Sequence, residues 1–214
     1  MHRLHPVGPG RRERAKAERR ERLKAAALEV FAEKGYQAAT TREIALRAGI
    51  GAGTLFRYAE QKRDLLLMIV NDDLDAIDKR CLARIDREAP LVEQLLELFA
   101  PRFRYWSAHL DLAREALHET VLARAGGAAS KEARRYLERR NGLLAIITDI
   151  VRRQQAAGTI DPHLDANLAA TLFLAIYLAQ IRLWVAQTRP VCKKGIETLR
   201  HLLSLAIDGV RSRP

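Results

Sequence analysis

Apolar residues recur every three or four positions along nearly the whole chain, and no segment keeps the period-2 alternation of a half-buried strand. That spacing confines the chain to helices packed on helices. The series Leu66, Val70, Leu74, Ile77, Cys81 and Ile85 marks a long amphipathic helix over 63–86. Residues 11–24 are a run of Arg, Glu and Ala, good helix formers. Leu23, Ala27, Val30 and Phe31 continue that run on one face, and Gly35 closes it. Two short helical pieces follow, over 41–48 and 52–59.

Further along, Pro90 suits the first position of a helix, and Pro101, inside an apolar pattern, predicts a kink or break. A helix over 110–123 precedes a loop at 125–129 containing Gly126 and Gly127. Ser130 then caps a helix that runs to about Ala157 and ends at Gly158. Residues 167–181 carry no charge, yet fall short of the ~20 that a membrane span needs. A short helix apolar on every side is expected to be buried by other helices, including those of a second chain. The last helix, over 193–210, puts Ile196, Leu199, Leu203, Ala206 and Val210 on one side. The expected architecture is all-α, about nine helices, with an N-terminal three-helix domain over 1–62 and a C-terminal helical bundle over 63–214.

Charge is unevenly spread. The 214 residues carry a formal net charge of +11, and residues 1–62 alone hold 14 Lys+Arg against 7 Asp+Glu. An anionic partner at the front end is implied, either nucleic acid or an anionic membrane surface. A hydrophobic content of 48% excludes a disordered polyelectrolyte. Two cysteines, Cys81 and Cys192, cannot form a disulfide framework. The first ten residues lack the apolar stretch of a signal peptide, so the expected location is cytoplasmic.

The block Thr40–Tyr58 carries the functional signal. Thr40 and Glu43 have the spacing of a capping box, Ala48-Gly49 ends the first short helix, and a tight glycine turn leads into the second. Two short helices so joined form a helix-turn-helix, whose second helix fits the DNA major groove. Leu28–Tyr36, Thr40-Thr41, Ile44-Ala45, Ala48-Gly49-Ile50, Gly53-Thr54-Leu55-Phe56, Tyr58 and Lys62 together resemble the N-terminal signature of the TetR-type transcriptional regulators. The sequence departs from the commonest pattern at Gly51, where a hydroxyl residue often caps, at Phe56, where Tyr is common, and at Ala59, where Phe is frequent. The resemblance implies a homodimer that binds a palindromic operator, usually as a repressor, and releases it on binding a small-molecule effector.

Chemistry assigns the contacts. Arg42 can reach phosphate or pair with guanine; the Thr41 and Thr54 hydroxyls can bond phosphate. Ala52 and Gly53 lead the recognition helix and permit close approach to base edges. Phe56 and Arg57 lie on the same helix, and Tyr58 and Lys62 read as phosphate anchors. The basic run over 11–24 can add DNA contact in or beside the minor groove.

In the C-terminal part, an effector pocket beside Pro101 is expected to draw on Phe103, Trp106, Phe173 and Tyr177 for walls, with His109, Glu115 and His118 as polar groups. Ala175, Ala179, Leu199, Leu203 and Ala206 are the expected dimer-interface residues. Glu115-x-x-His118 has the spacing of a di-metal helix site but lacks the second copy such a site needs. No metal, cofactor or catalytic group is therefore expected. The competing readings are an architectural DNA protein that binds by charge and shape, and a helix-bundle metalloenzyme.

Overall fold

The structure, a computed structural model, describes residues 10–125 and 130–210. Among the described residues there are nine helices and no strand. The expectations for residues 1–9, and for the glycine loop beyond Ala125, lie outside the described residues.

Contacts divide the chain into two compact units, one ending at Ile69 and the other beginning at Val70. The division falls beyond the expected 62/63 boundary, inside helix α4 (Lys62–Leu82). Leu65 to Ile69 are all buried, and they belong to the first unit.

The first unit begins with α1 (Arg11–Ala38), whose first buried residue is Leu23; Ala26, Ala27, Val30 and Phe31 continue its inner face. At Gly35 the backbone turns left-handed (φ 77°), a conformation that costs a side chain dearly and glycine little. The chain then enters α2 (Thr41–Arg47) and the five-residue α3 (Ala52–Phe56), which stops short of the expected Ala59.

The second unit holds α5 (Leu91–Ala108), α6 (Leu110–Ala125), α7 (Lys131–Ala156), α8 (Ala166–Val185) and α9 (Cys192–Val210). Pro90 stands just before α5 as its N-cap rather than at its first turn. α5 runs through Pro101 without the expected break and ends instead at His109, where the backbone leaves helical geometry (φ −136°, ψ 51°). Pro101 has no N–H for the carbonyl four residues back. Buried Leu95, Leu98, Phe99, Phe103 and Trp106 hold the helix together across the gap. Ser130 caps α7 as expected, its Oγ accepting from the Ala133 N–H at 3.2 Å. α8 has 20 residues, long and apolar enough to cross a membrane by length and composition. One side of it buries Phe173, Leu174, Tyr177, Ile181 and Trp184 in the protein.

Aromatic rings set the centre of this unit. Phe99 stacks on Tyr177 at 4.4 Å between centroids, and Phe103 packs against Trp184 at 5.2 Å. α9 crosses them at Gly195, where an added Cβ would stand 2.7 Å from Trp184 Cδ1 and 2.9 Å from Phe103 Cε1. Neither ring can yield inside this core, whereas an added Cβ at Gly142 on α7 meets nothing within 4 Å. Gly195→Ala is therefore expected to destabilise by about 1–3 kcal/mol, the cost of overpacking. Gly142→Ala is expected to leave stability unchanged or raise it by up to ~1 kcal/mol through helix propensity. Chemical denaturation of the two variants side by side checks the contrast.

Candidate nucleic-acid interface and sensing core

α2 is fixed before it is packed. The Thr40 hydroxyl accepts from the Glu43 N–H at 3.2 Å, while the Glu43 carboxylate accepts from the Thr40 N–H at 3.2 Å, the reciprocal capping box. Two charge pairs tie α2 to α1, Lys34 with Glu43 and Arg47 with Glu33. The Lys34 and Thr40 hydrogen bonds hold the Glu43 carboxyl below its ordinary pKa, and Arg47 does the same for Glu33. Ile44, Ala45 and Ala48 face inward.

Gly49 then takes a left-handed turn (φ 64°) and delivers the chain to α3. Gly51 supplies no side-chain cap, as its departure from the usual hydroxyl residue foretold. Leu55 is the one fully buried residue of α3 and anchors it. The outward side carries Ala52, Gly53, Phe56 and Arg57, all exposed; Thr41 and Thr54 are half-buried and Arg42 is exposed. An added Cβ at Gly53 meets nothing within 4 Å, so the leading edge of α3 is open ground.

Two of the expected phosphate anchors have partners inside the unit. Lys62 Nζ donates to the Gln37 carbonyl at 2.8 Å and stands 4.6 Å from the centroid of the Tyr36 ring, securing the end of α1. The Tyr58 hydroxyl reaches the Lys16 carbonyl at 3.4 Å, which holds the outlying first turns of α1 beside the end of α3. Lys16 was legible only as part of a charged run. Leu46 escaped the sequence reading altogether, although 82% of it is exposed on α2. A leucine in an apolar pattern reads as core until its side of the helix is known.

In the second unit the expected pocket groups separate. Phe103 and Phe173 are fully buried core residues. His109 and His118 point to solvent, which removes them as pocket groups; Glu115 is half-buried. The helical spacing placed Glu115 and His118 on α6 but could not tell its inner side from its outer one, and His109 stands at the C-cap of α5. Trp106 and Tyr177 do meet at a small cavity of about 30 Å³, together with Tyr136, Arg102, Arg139 and Arg140. Burial pushes the Tyr177 phenol up to about 12, against the opposing charge of Arg102. Two clefts of about 350 and 370 Å³ flank α7, one beside Leu82 and Ile146, the other beside Pro90 and Thr159. None of the seven expected pocket residues lines either cleft.

The expected dimer residues also divide. Ala175 and Ala179 are exposed and share a side of α8 with exposed Leu168, Leu172 and Leu183. Leu199 and Leu203 are fully buried within the chain itself and are removed from any interface; α9 buries Gly195, Leu199, Leu203 and Ile207. Leu202 and Leu205 occupy its exposed side, and Ala206 lies half-buried between the two.

Residues 23–69 match the family model described as bacterial regulatory proteins, tetR family, a span that starts at the first buried residue of α1 and ends where the first unit ends. Among curated relatives, the transcriptional regulator TcmR of Streptomyces glaucescens is 33% identical over 96% of this chain and 88% of its own length. The fatty acid metabolism regulator protein of Bacillus subtilis is 24% identical over 88% of this chain and 93% of its own. Among solved structures, Thermus thermophilus FadR in complex with lauroyl-CoA superposes with a TM-score of 0.70 at 24% identity, covering 91% of this chain and 96% of that one. By its sequence kinship and its helix-turn-helix unit alike, the chain belongs to the tetR family of bacterial regulatory proteins.

Proposed function

We propose that the protein is a homodimeric repressor that holds a palindromic operator through α2 and α3 and lets it go when a small organic ligand enters the second unit. The observation that carries this reading is α3 itself: a short helix pinned by Leu55, with a bare outer edge of Ala52 and Gly53. An edge without side chains brings backbone close to base edges, and Arg42 and Arg57 flank it with the donors that pair with guanine or phosphate. Two such heads on a twofold axis reach successive major grooves, ~34–36 Å apart. The site of action is the DNA in the cytoplasm.

The apolar stripe of α8, with Leu202 and Leu205 of α9, supports the pairing of two chains into a four-helix contact. The first turns of α1 support a second DNA contact. Arg11, Arg12, Lys16 and Arg19 are exposed there and lie outside the family match, and Tyr58 ties that stretch to the end of α3. Among the solved relatives, FadR proteins carry lauroyl-CoA and stearoyl-CoA. A ligand pocket takes roughly 300–1,000 Å³, and the interior cavity holds about 30 Å³, so a ligand of that size enters only as the cavity widens.

Gly53→Leu should keep the thermal midpoint of the native protein yet weaken operator binding tenfold or more, measured by fluorescence anisotropy on an operator chosen from a random pool. An equal affinity for the native protein and Gly53→Leu removes α3 from the groove. Placing glutamate at both Leu183 and Leu205 should give a folded monomer in sedimentation that has lost most of its operator affinity. A dimer that persists assigns the contact elsewhere. Replacing Arg11, Arg12, Lys16 and Arg19 by glutamine should flatten the dependence of log K on log salt, by about 0.9 for each phosphate that is no longer neutralised. Operator and random DNA should lose affinity by the same factor. An unchanged slope makes that stretch of α1 a solvated helix.

A further inference from the structure

The interior cavity is walled by leucines, Ile181 and three aromatic side chains, yet three arginines and no carboxylate line it. Arg102 is the unusual one. Only 1% of it is exposed, on a helix whose buried side is otherwise almost wholly apolar. Its guanidinium donates to the Leu98 carbonyl on its own helix and to Asp78 of α4, and its Nε is buried with no hydrogen-bond partner. Asp78 also attracts Arg139, 3.9 Å away. A buried guanidinium with an idle donor, sharing the Asp78 carboxylate with a second arginine, is costly. Its neighbours Trp106, Tyr136 and Tyr177 supply flat apolar walls with polar edges, the surroundings in which an organic ion can be held.

We infer that the effector of this protein is an organic carboxylate, whose anionic group enters the bundle first and is taken by Arg102 between α4, α5, α7 and α8, with its apolar body against the leucines and aromatic rings. The inference rests on the ligand-released repressor proposed above and adds the chemistry of the ligand. It also gives a polarity opposite to that of an acyl thioester that enters tail first: such a ligand brings an uncharged chain end to Arg102, with its own charges on the nucleotide. A carboxylate presents two oxygens to the planar fork of the guanidinium, a match that a lone alcohol cannot make. The space now present, about 30 Å³, is a small fraction of the ~300 Å³ at which ligand pockets begin. Entry therefore requires the cavity side chains to draw apart, and the ligand favours the state in which they have done so.

The test uses the full-length dimer and isothermal titration with matched pairs of probes: decanoate against 1-decanol, 2-naphthoate against 2-naphthylmethanol, and decanoyl-CoA. At least one acid should bind tenfold or more tightly than its alcohol. Arg102→Met should abolish that preference, and Asp78→Asn should increase it, because the ligand then meets no competing carboxylate. If both acids bind no better than their alcohols, or the preference survives in Arg102→Met, the inference is overturned. It is overturned equally if decanoyl-CoA binds best and ignores both substitutions. Asp78→Asn keeps the test decisive if Arg102→Met does not fold. Operator binding by the unliganded wild-type protein, measured alongside, judges the repressor reading by itself. DNA bound and then released by a ligand that ignores Arg102 leaves the repressor standing and removes only the carboxylate.

Discussion

A helix of five residues does not hold itself. Nucleating helix fixes several backbone angles before the first hydrogen bond returns anything, and isolated helices below about 12–15 residues are marginal even with the best sequences. α3 has five, lacks a side-chain cap and contains a glycine. Its place is therefore imposed from outside: by Leu55 in the core, by the left-handed turn at Gly49, and by an α2 that is capped at one end and tied to α1 by charge pairs. Those supports all act on the inner side or at the ends. The outer side of α3 has no folding duty, so Ala52 and Gly53 can be bare there at no cost to the fold, which is what the proposed approach to a base edge asks of them.

The second unit meets a different constraint. α4 carries Asp72, Asp73, Asp75 and Asp78 within two turns, and repulsion along such a row has to be answered. α7 and α5 answer it: Arg135 bridges Asp72 and Asp75, Arg102 takes Asp78, and the Tyr105 hydroxyl reaches Asp73 at 3.1 Å. Burial opposes the charge on Arg135, but its two aspartate partners outweigh that and raise its pKa. Deeper in, the Asn71 amide donates to the carbonyl and carboxylate of Glu132. Half-buried ion pairs such as those of Arg135 contribute little net stability. Their effect is geometric, since few rotations of α7 about its axis bring Arg135 and Glu132 to their partners together.

These two regimes explain what could be read from the residues alone. The first unit is built from local rules, each spanning three or four positions: the Thr40–Glu43 box, the glycine turns, the spacing of inward apolar residues. All of these are visible in the chain and all appear in the structure. In the second unit the helices were legible, but their orientation was not. On α9 the apolar spacing from Ile196 to Val210 is compatible with two neighbouring sides of the helix, and the packing of Gly195 on Trp184 chooses the one with Leu199, Leu203 and Ile207. Pro101 predicted a kink or break because its missing hydrogen bond is local, whereas the aromatic core that carries α5 past it without a break is assembled from distant segments. Arg102 went unnoticed for the same reason. An arginine in a helical pattern reads as a solvated residue, and only tertiary packing shows it to be buried.

α4 supplies residues to both units, Leu65 to Ile69 to the first and Leu74 and Asp78 to the second. A ligand that competes with Asp78 for Arg102 therefore acts on a residue of the helix whose first turns, Leu65 to Ile69, are buried in the first unit. Regulation follows only if the ligand's affinity differs between the operator-binding state and the released one, and linkage then obliges the operator to weaken the ligand by the same factor. Under the proposal above, the small cavity and the Arg102–Asp78 pair supply such a difference, because neither can persist unchanged around a bound carboxylate. On that proposal, discrimination between states resides in a single exchange of anionic partners at a buried guanidinium. The bare edge of α3 needs no switch of its own.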